Sequence, residues 1–256
     1  MTSGVPAEAS VDFYNQLLQL PCSDTEAIGH IEFRLRALRR KRPNDLQTMV
    51  VLLQALTMGG KTGKAIDTAD YLWGRRDWLD ADRQLTFLAQ LSDLGMFGRT
   101  KKLAAKFLDA PGLSADPAVV SLMLHVAVGA GDLGLMRTVA GGEMHATRSR
   151  QIKSFIEELQ RLGLDSHFEQ HQATVQNVIY GHQCSYWPIF YDAEGPELSV
   201  YVYANERREK RRFLENEIDD ALANYFAEKG IDPSLFVPLI TTQVLDISAR
   251  HALGKN

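Results

Sequence analysis

Cysteine is scarce: two residues in 256, Cys22 and Cys184, far apart and in no Cys-x-x-Cys pair. No disulfide framework and no cysteine-based zinc site is spelled out. Long apolar runs are missing too. The stretch 49–53 is broken by Gln54, and 119–123 is interrupted by Ser121 and His125, whereas a membrane-spanning helix needs ~20 mostly apolar residues. Residues 1–10 lack the basic segment followed by an apolar one that marks a secretory signal. Charge is not one-sided: 28 Lys and Arg face 32 Asp and Glu, for a net charge of −4. The molecule as a whole therefore exerts no pull on nucleic acid or anionic membrane. Catalytic signatures are lacking as well. There is no Gly-x-Ser-x-Gly, and no Cys or Ser stands with an arranged His and acid. The expectation is a cytoplasmic chain with no membrane association, no cofactor and no legible enzymatic activity.

What is present is helical period. Apolar residues recur at i, i+3, i+4 in Val11, Tyr14, Leu17 and Leu18, then in Ile28, Ile31, Leu35 and Leu38. The same spacing returns in Leu46, Met49, Val50 and Leu53, in Ala65, Ala69 and Leu72, in Leu103, Ala104 and Phe107, and in Ile152, Phe155, Ile156 and Leu159. Each set is one face of an amphipathic helix. The segment 119–128 is apolar on nearly every side and predicts a buried central helix. The gaps are short and several carry glycine, so neighbouring helices should pair as antiparallel hairpins. Asp24, Asn44, Asp80 and Asp116 precede periodic runs as N-caps, with Pro117 suited to a first helical turn.

The hairpins recur. Gly59-Gly60 closes one helix before Lys64-Ala65-Ile66, Gly95 closes the next before Arg99-Thr100-Lys101, and Gly129-Ala130-Gly131 does the same before Leu135 and Met136. Gly60 and Gly95 stand 35 residues apart, Ala69 matches Ala104, and Leu72 matches Phe107. Over 44–141 this period and pattern resemble the tetratricopeptide-like family of helix–turn–helix repeats. The family's Trp, Leu-Gly and Tyr signature is not evident, and a closing proline follows only the second copy, at Pro111. The resemblance implies an array with a concave surface for a peptide or protein partner.

The texture changes after Gly181. Aromatic and β-branched residues around Ala193-Glu194-Gly195-Pro196 predict a β-hairpin, with Leu198, Val200 and Val202 on one face and Ser199, Tyr201 and Tyr203 on the other. Asn205 can cap a long helix to Lys229, ended by Gly230, and 239–247 predicts a last strand. The fold class expected is mostly α: a helical-hairpin repeat array followed by a small C-terminal β-β-α-β unit. The divisions are an N-terminal arm (1–23), a helical repeat domain (24–165), a connecting helix and linker (166–185), a small α/β domain (186–248) and a tail (249–256).

Four features bear on chemistry. Gly60-Lys61-Thr62 ends like a phosphate-binding loop, but Ala55 replaces the required first glycine and a helix precedes it, so a helix–helix turn is the better account. His167 and His171 are spaced to share a metal, with His182 and Cys184 as further ligands; the alternative is two imidazoles on a buried stripe. The basic run 34–42 can meet phosphate, yet cations at a helix end that begins with Asp24 and Glu26 also complement the helix dipole. Arg207, Arg208 and Arg211 lie where a strand feeds a helix N-terminus, an anion-site geometry, with Trp187, Tyr201 and Tyr203 as stacking surfaces. Arg211 and Glu215 also have the i, i+4 spacing of a self-paired helix face.

A protein or peptide partner held by the array is the first functional reading, because the recurrence is present and catalytic motifs are not. The alternative makes the C-terminal unit an anion- or nucleotide-binding or enzymatic module, with the helices as a regulatory or oligomerising arm. Nucleic-acid binding through 207–212 ranks third. The oligomeric state is not legible.

Overall fold

A computed structural model describes residues 6–21, 24–108, 117–141, 146–180, 184–191, 195–204 and 208–246. Two N-terminal helices come first, α1 (Pro6–Gln19) and α2 (Thr25–Lys41). Four hairpins follow: α3 (Leu46–Met58) with α4 (Thr62–Trp73), α5 (Ala81–Asp93) with α6 (Phe97–Leu108), α7 (Pro117–Gly129) with α8 (Leu133–Gly141), and α9 (Ala146–Arg161) with α10 (Asp165–Ile179). The chain then forms β1 (Cys184–Tyr191), β2 (Glu197–Ala204), α11 (Arg208–Lys229), α12 (Pro233–Phe236) and β3 (Ile240–Asp246). Mostly α with a small C-terminal β unit is what the periodicity predicts.

Each hairpin turns on a left-handed glycine: Gly60, Gly95, Gly131 and Gly163, at φ +70, +71, +63 and +70°. These glycines are 35, 36 and 32 residues apart. The same two backbone bonds close each turn. Lys61 N donates to Leu56 O, and Met96, Asp132 and Leu164 N donate to Leu91, Ala127 and Leu159 O, while each glycine N donates three residues back. This is the Schellman arrangement, which needs a residue at positive φ.

Aligned on those glycines, the four hairpins bury the same positions. In the first helices they are Leu52, Leu53 and Leu56; Phe87, Leu88 and Leu91; Met123, Leu124 and Ala127; and Phe155, Ile156 and Leu159. In the second helices they are Ala65, Thr68 and Ala69; Thr100, Leu103 and Ala104; Met136, Val139 and Ala140; and Phe168, His171 and Gln172. The recurrence therefore runs one hairpin beyond 44–141 and takes in α10, the helix expected to be a connector. Polar His171 and Gln172 stand where the earlier copies carry small or aliphatic side chains.

Helices α1, α3, α5 and α7 contact one another in series, the first hairpin meeting the second through α3·α5, and the later hairpins also pack through α6·α7 and α8·α9. Close approach is forced at two glycines. A Cβ on Gly129 would lie 2.1 Å from the Phe97 ring, and one on Gly131 would lie 2.4 Å from the Glu169 Cα.

Asp24, Asp80 and Asp232 cap their helices, accepting from the backbone N of Ala27, Arg83 and Ser234. At α3 the cap is Asp45 rather than Asn44: its carboxylate accepts from Thr48 N at 3.2 Å and Thr48 Oγ1 at 2.7 Å. A carboxylate accepting two bonds wins over an amide one residue too early. Asp116 and Asn205 lie outside the described residues.

The sheet order is β1-β2-β3, with β1 antiparallel to β2 and β2 parallel to β3. The parallel pairing follows from α11, which carries the chain back between the two strands. Leu198, Val200 and Val202 are buried on one face, as their alternation predicts. The sheet is not a free-standing appendage. Strand β1 contacts α5, α7 and α9, α11 packs on α10 and β3, and one buried apolar cluster runs from Phe13 through to Ile240. Among the described residues, no helix is long and apolar enough to cross a membrane.

Candidate functional site

The register of the sheet brings the aromatic residues together. Trp187 pairs with Tyr201 across β1 and β2, and Ser185 pairs with Tyr203. Gln243 and Leu245 follow on β3 beside Tyr201 and Tyr203. Positions 187, 201 and 203 thus fall at the register positions that alternate with buried Val200 and Val202. Tyr201 is half-buried there. The side chains of Trp187 and Tyr203 lie outside the described ones.

Of the basic residues expected beside this face, Arg208 is exposed at the start of α11 and Arg207 lies outside the described residues. Arg211 does not serve Glu215. Its guanidinium donates to Asp246 Oδ2 at 2.5 Å, tying α11 to the end of β3. The i, i+4 spacing offered a local partner; the fold supplies a carboxylate 35 positions away. Arg211 is therefore occupied by a structural ion pair.

The histidine pair also has structural work. His167 Nδ1 lies 3.1 Å from the Tyr225 hydroxyl, across the α10–α11 contact. His171 is 2% exposed, stacked on Phe236 with centroids 5.1 Å apart and tilted on Phe226 at 6.0 Å. Burial pushes its imidazole down to about 4, because a charged ring would lose its hydration there. Its Nδ1 finds no hydrogen-bond partner among the described residues. The two rings are spent on α11 and α12. Of the further ligands weighed, His182 and the Cys184 side chain lie outside what is described. Among the described residues, no group of three His, Cys, Asp or Glu could hold a metal ion.

Lys61, in the loop that ends like a phosphate-binding one, points at protein. Its Nζ lies 2.5 Å from Glu32 Oε2, and Arg36 Nε donates to Glu32 Oε1 at 2.8 Å. Glu32 is 4% exposed. A buried carboxylate needs such partners, so Lys61, itself exposed, pins the first hairpin turn to α2.

Sequence reasoning missed an open cavity of about 730 Å³ between α1 and α2, lined by Gln16, Gln19, Asp24, Glu26 and His30 among others. No spacing announces it, because its walls come from two helices whose packing angle is set elsewhere. Asp24 is engaged in capping α2, and the lining holds no arranged nucleophile or ligand set.

Comparison of the chain with known family models, with curated proteins and with solved structures returns no match.

Proposed function

We propose that the chain is a protein–protein interaction module: a tetratricopeptide-like repeat array acting as an adaptor, with the C-terminal α/β unit built onto it. One observation carries the reading. Strand β1, an extended segment of eight residues, lies against α5, α7 and α9. These are first helices of successive hairpins, and such arrays bind partners along an extended surface built by successive repeats. The face thus accepts an extended segment, here supplied in cis, and the rest of the array is left for a partner.

The test is capture on the immobilised full chain from nuclease-treated native lysate, followed by calorimetry with the purified captured protein. The expected result is a retained protein that binds the purified chain at micromolar strength or tighter. Retention of no protein, or of one that fails to bind when purified, would sink the adaptor reading.

A second reading, an anion- or ligand-binding C-terminal unit, draws on the pairing of Trp187 with Tyr201 and on exposed Arg208. Arg211 is withdrawn from that site by Asp246, which ranks this reading below the first. Its check is whether Arg208→Ala lowers affinity for a nucleotide such as ATP in a fluorescence titration. If wild type shows no binding, the reading fails.

A further inference from the structure

The C-terminal end of α2 carries four consecutive cations, Arg39, Arg40, Lys41 and Arg42. Complementing the helix dipole accounts for cations in a last turn. It does not account for what the fold sets beside them. The Arg39 guanidinium lies 5.9 Å from the Tyr71 ring centroid, and Arg75 lies 3.8 Å from the same ring. Tyr71 thus joins the α2 run to a second basic pair, Arg75 and Arg76, in the turn after α4. Next to it Arg76 sits 4.4 Å from the Trp73 ring and Arg99 of α6 sits 5.6 Å from it.

These side chains are held in place. Arg75 Nη1 donates to Tyr71 O at 3.3 Å and Arg76 Nη1 to Trp73 O at 2.8 Å. A guanidinium stacked on a ring keeps N–H groups at its edge for an incoming anion. Of the carboxylates nearby, Asp70 pairs with Arg99, Asp77 with Lys106 at 2.5 Å and Arg76 at 3.9 Å, and Asp80 with Arg83 at 2.6 Å, while Asp67 and Asp82 are exposed. No ion pair among the described residues involves Arg39, Arg40, Lys41, Arg42 or Arg75. Five cations without a carboxylate partner are thus grouped on a chain whose net charge is −4, so the excess is local. Beyond Arg76 stands Trp78, 78% exposed.

We propose that this edge of the array, formed by 39–42, the end of α4 and Trp78, binds single-stranded nucleic acid. The cations supply several phosphate contacts, and the open indole offers a face on which a base can stack. A carboxylate-rich peptide would use the cations and leave the indole without a planar partner. The proposal does not rest on the adaptor reading and can fail separately from it.

The test is fluorescence anisotropy of a fluorescein-labelled oligo-dT of about 20 nucleotides, titrated with the full chain at about 50 mM salt. Micromolar binding is expected, with log K falling against log salt at a slope of about −3.5 for five phosphate contacts. Arg40→Glu with Lys41→Glu, both exposed, should weaken binding at least ~10-fold and flatten the slope. Trp78→Ala should weaken it ~10-fold and leave the slope unchanged. No anisotropy change at low salt would overturn the proposal. So would binding that ignores these variants and falls instead with Arg208→Glu and Lys210→Glu on α11. Trp78-dependent binding to phosphatidylserine vesicles without binding to the oligonucleotide would replace it with a membrane surface.

Discussion

Gly131 carries two constraints at once, a left-handed φ of +63° and the Glu169 backbone 2.4 Å from where a Cβ would stand. Gly163 has a similar φ of +70° with open space around it. Alanine at Gly163 therefore meets only backbone strain, ~1–2 kcal/mol, whereas Gly131→Ala adds overpacking of ~1–3 kcal/mol. Urea denaturation should place Gly131→Ala well below Gly163→Ala in midpoint; equal midpoints would mean that α10 does not press on the α7–α8 turn. His171 makes a pH prediction. Its imidazole titrates near 6.5 when unfolded and at about 4 in the fold, so the unfolded chain takes up the proton first. The contribution of neutral His171 is fully present above pH 6.5, shrinks as pH falls toward 4, and is gone below it. Between about pH 7 and pH 5 the loss is ~2 kcal/mol. His171→Phe should show a smaller fall in urea stability over that interval than wild type, and parallel curves would contradict the burial argument. From the chain alone, the i, i+4 spacing showed that His167 and His171 share a helix face. It did not show what they meet, because Tyr225 and Phe236 come from elements more than 50 positions on.

The caps and turn glycines decide where each helix stops. Asp45→Ala should cost about 1 kcal/mol, while Asn44→Ala should be close to neutral, as read by urea midpoints; the reverse order would restore Asn44 as the cap. Element-level organisation was largely readable because its causes are local. Glycine at a Schellman turn, apolar i, i+3, i+4 spacing and strand alternation all act within a few residues. The fourth hairpin escaped because His171 and Gln172 hide its inner stripe under polar residue types. Gly163 was the remaining signal, standing 32 residues after Gly131, close to the earlier intervals of 35 and 36. The ion pair of Arg211 with Asp246 and the cradle of Glu32 by Lys61 and Arg36 were out of reach for a different reason. Local spacing proposes a partner within one helix turn, and packing offered better ones from other elements.

For the whole molecule, the expected order of parts holds, with a helical-hairpin array first and a small β unit last. What no pattern announced is that β1 lies against α5, α7 and α9. Contacts across so much sequence leave no periodic mark on either segment. They matter for function, since they place the chain's own strand on the face where the proposed array would hold a peptide. They also imply that array and β unit share one core and one unfolding transition. The three tryptophans report on this directly, with Trp73 and Trp78 in the array and Trp187 on β1. Labelled with 5-fluorotryptophan, the chain gives three fluorine resonances to follow by NMR through urea. One common midpoint for all three is the predicted result. A Trp187 signal that melts ahead of the other two would show that the strand is not held by the array, and would remove the observation on which the adaptor reading stands.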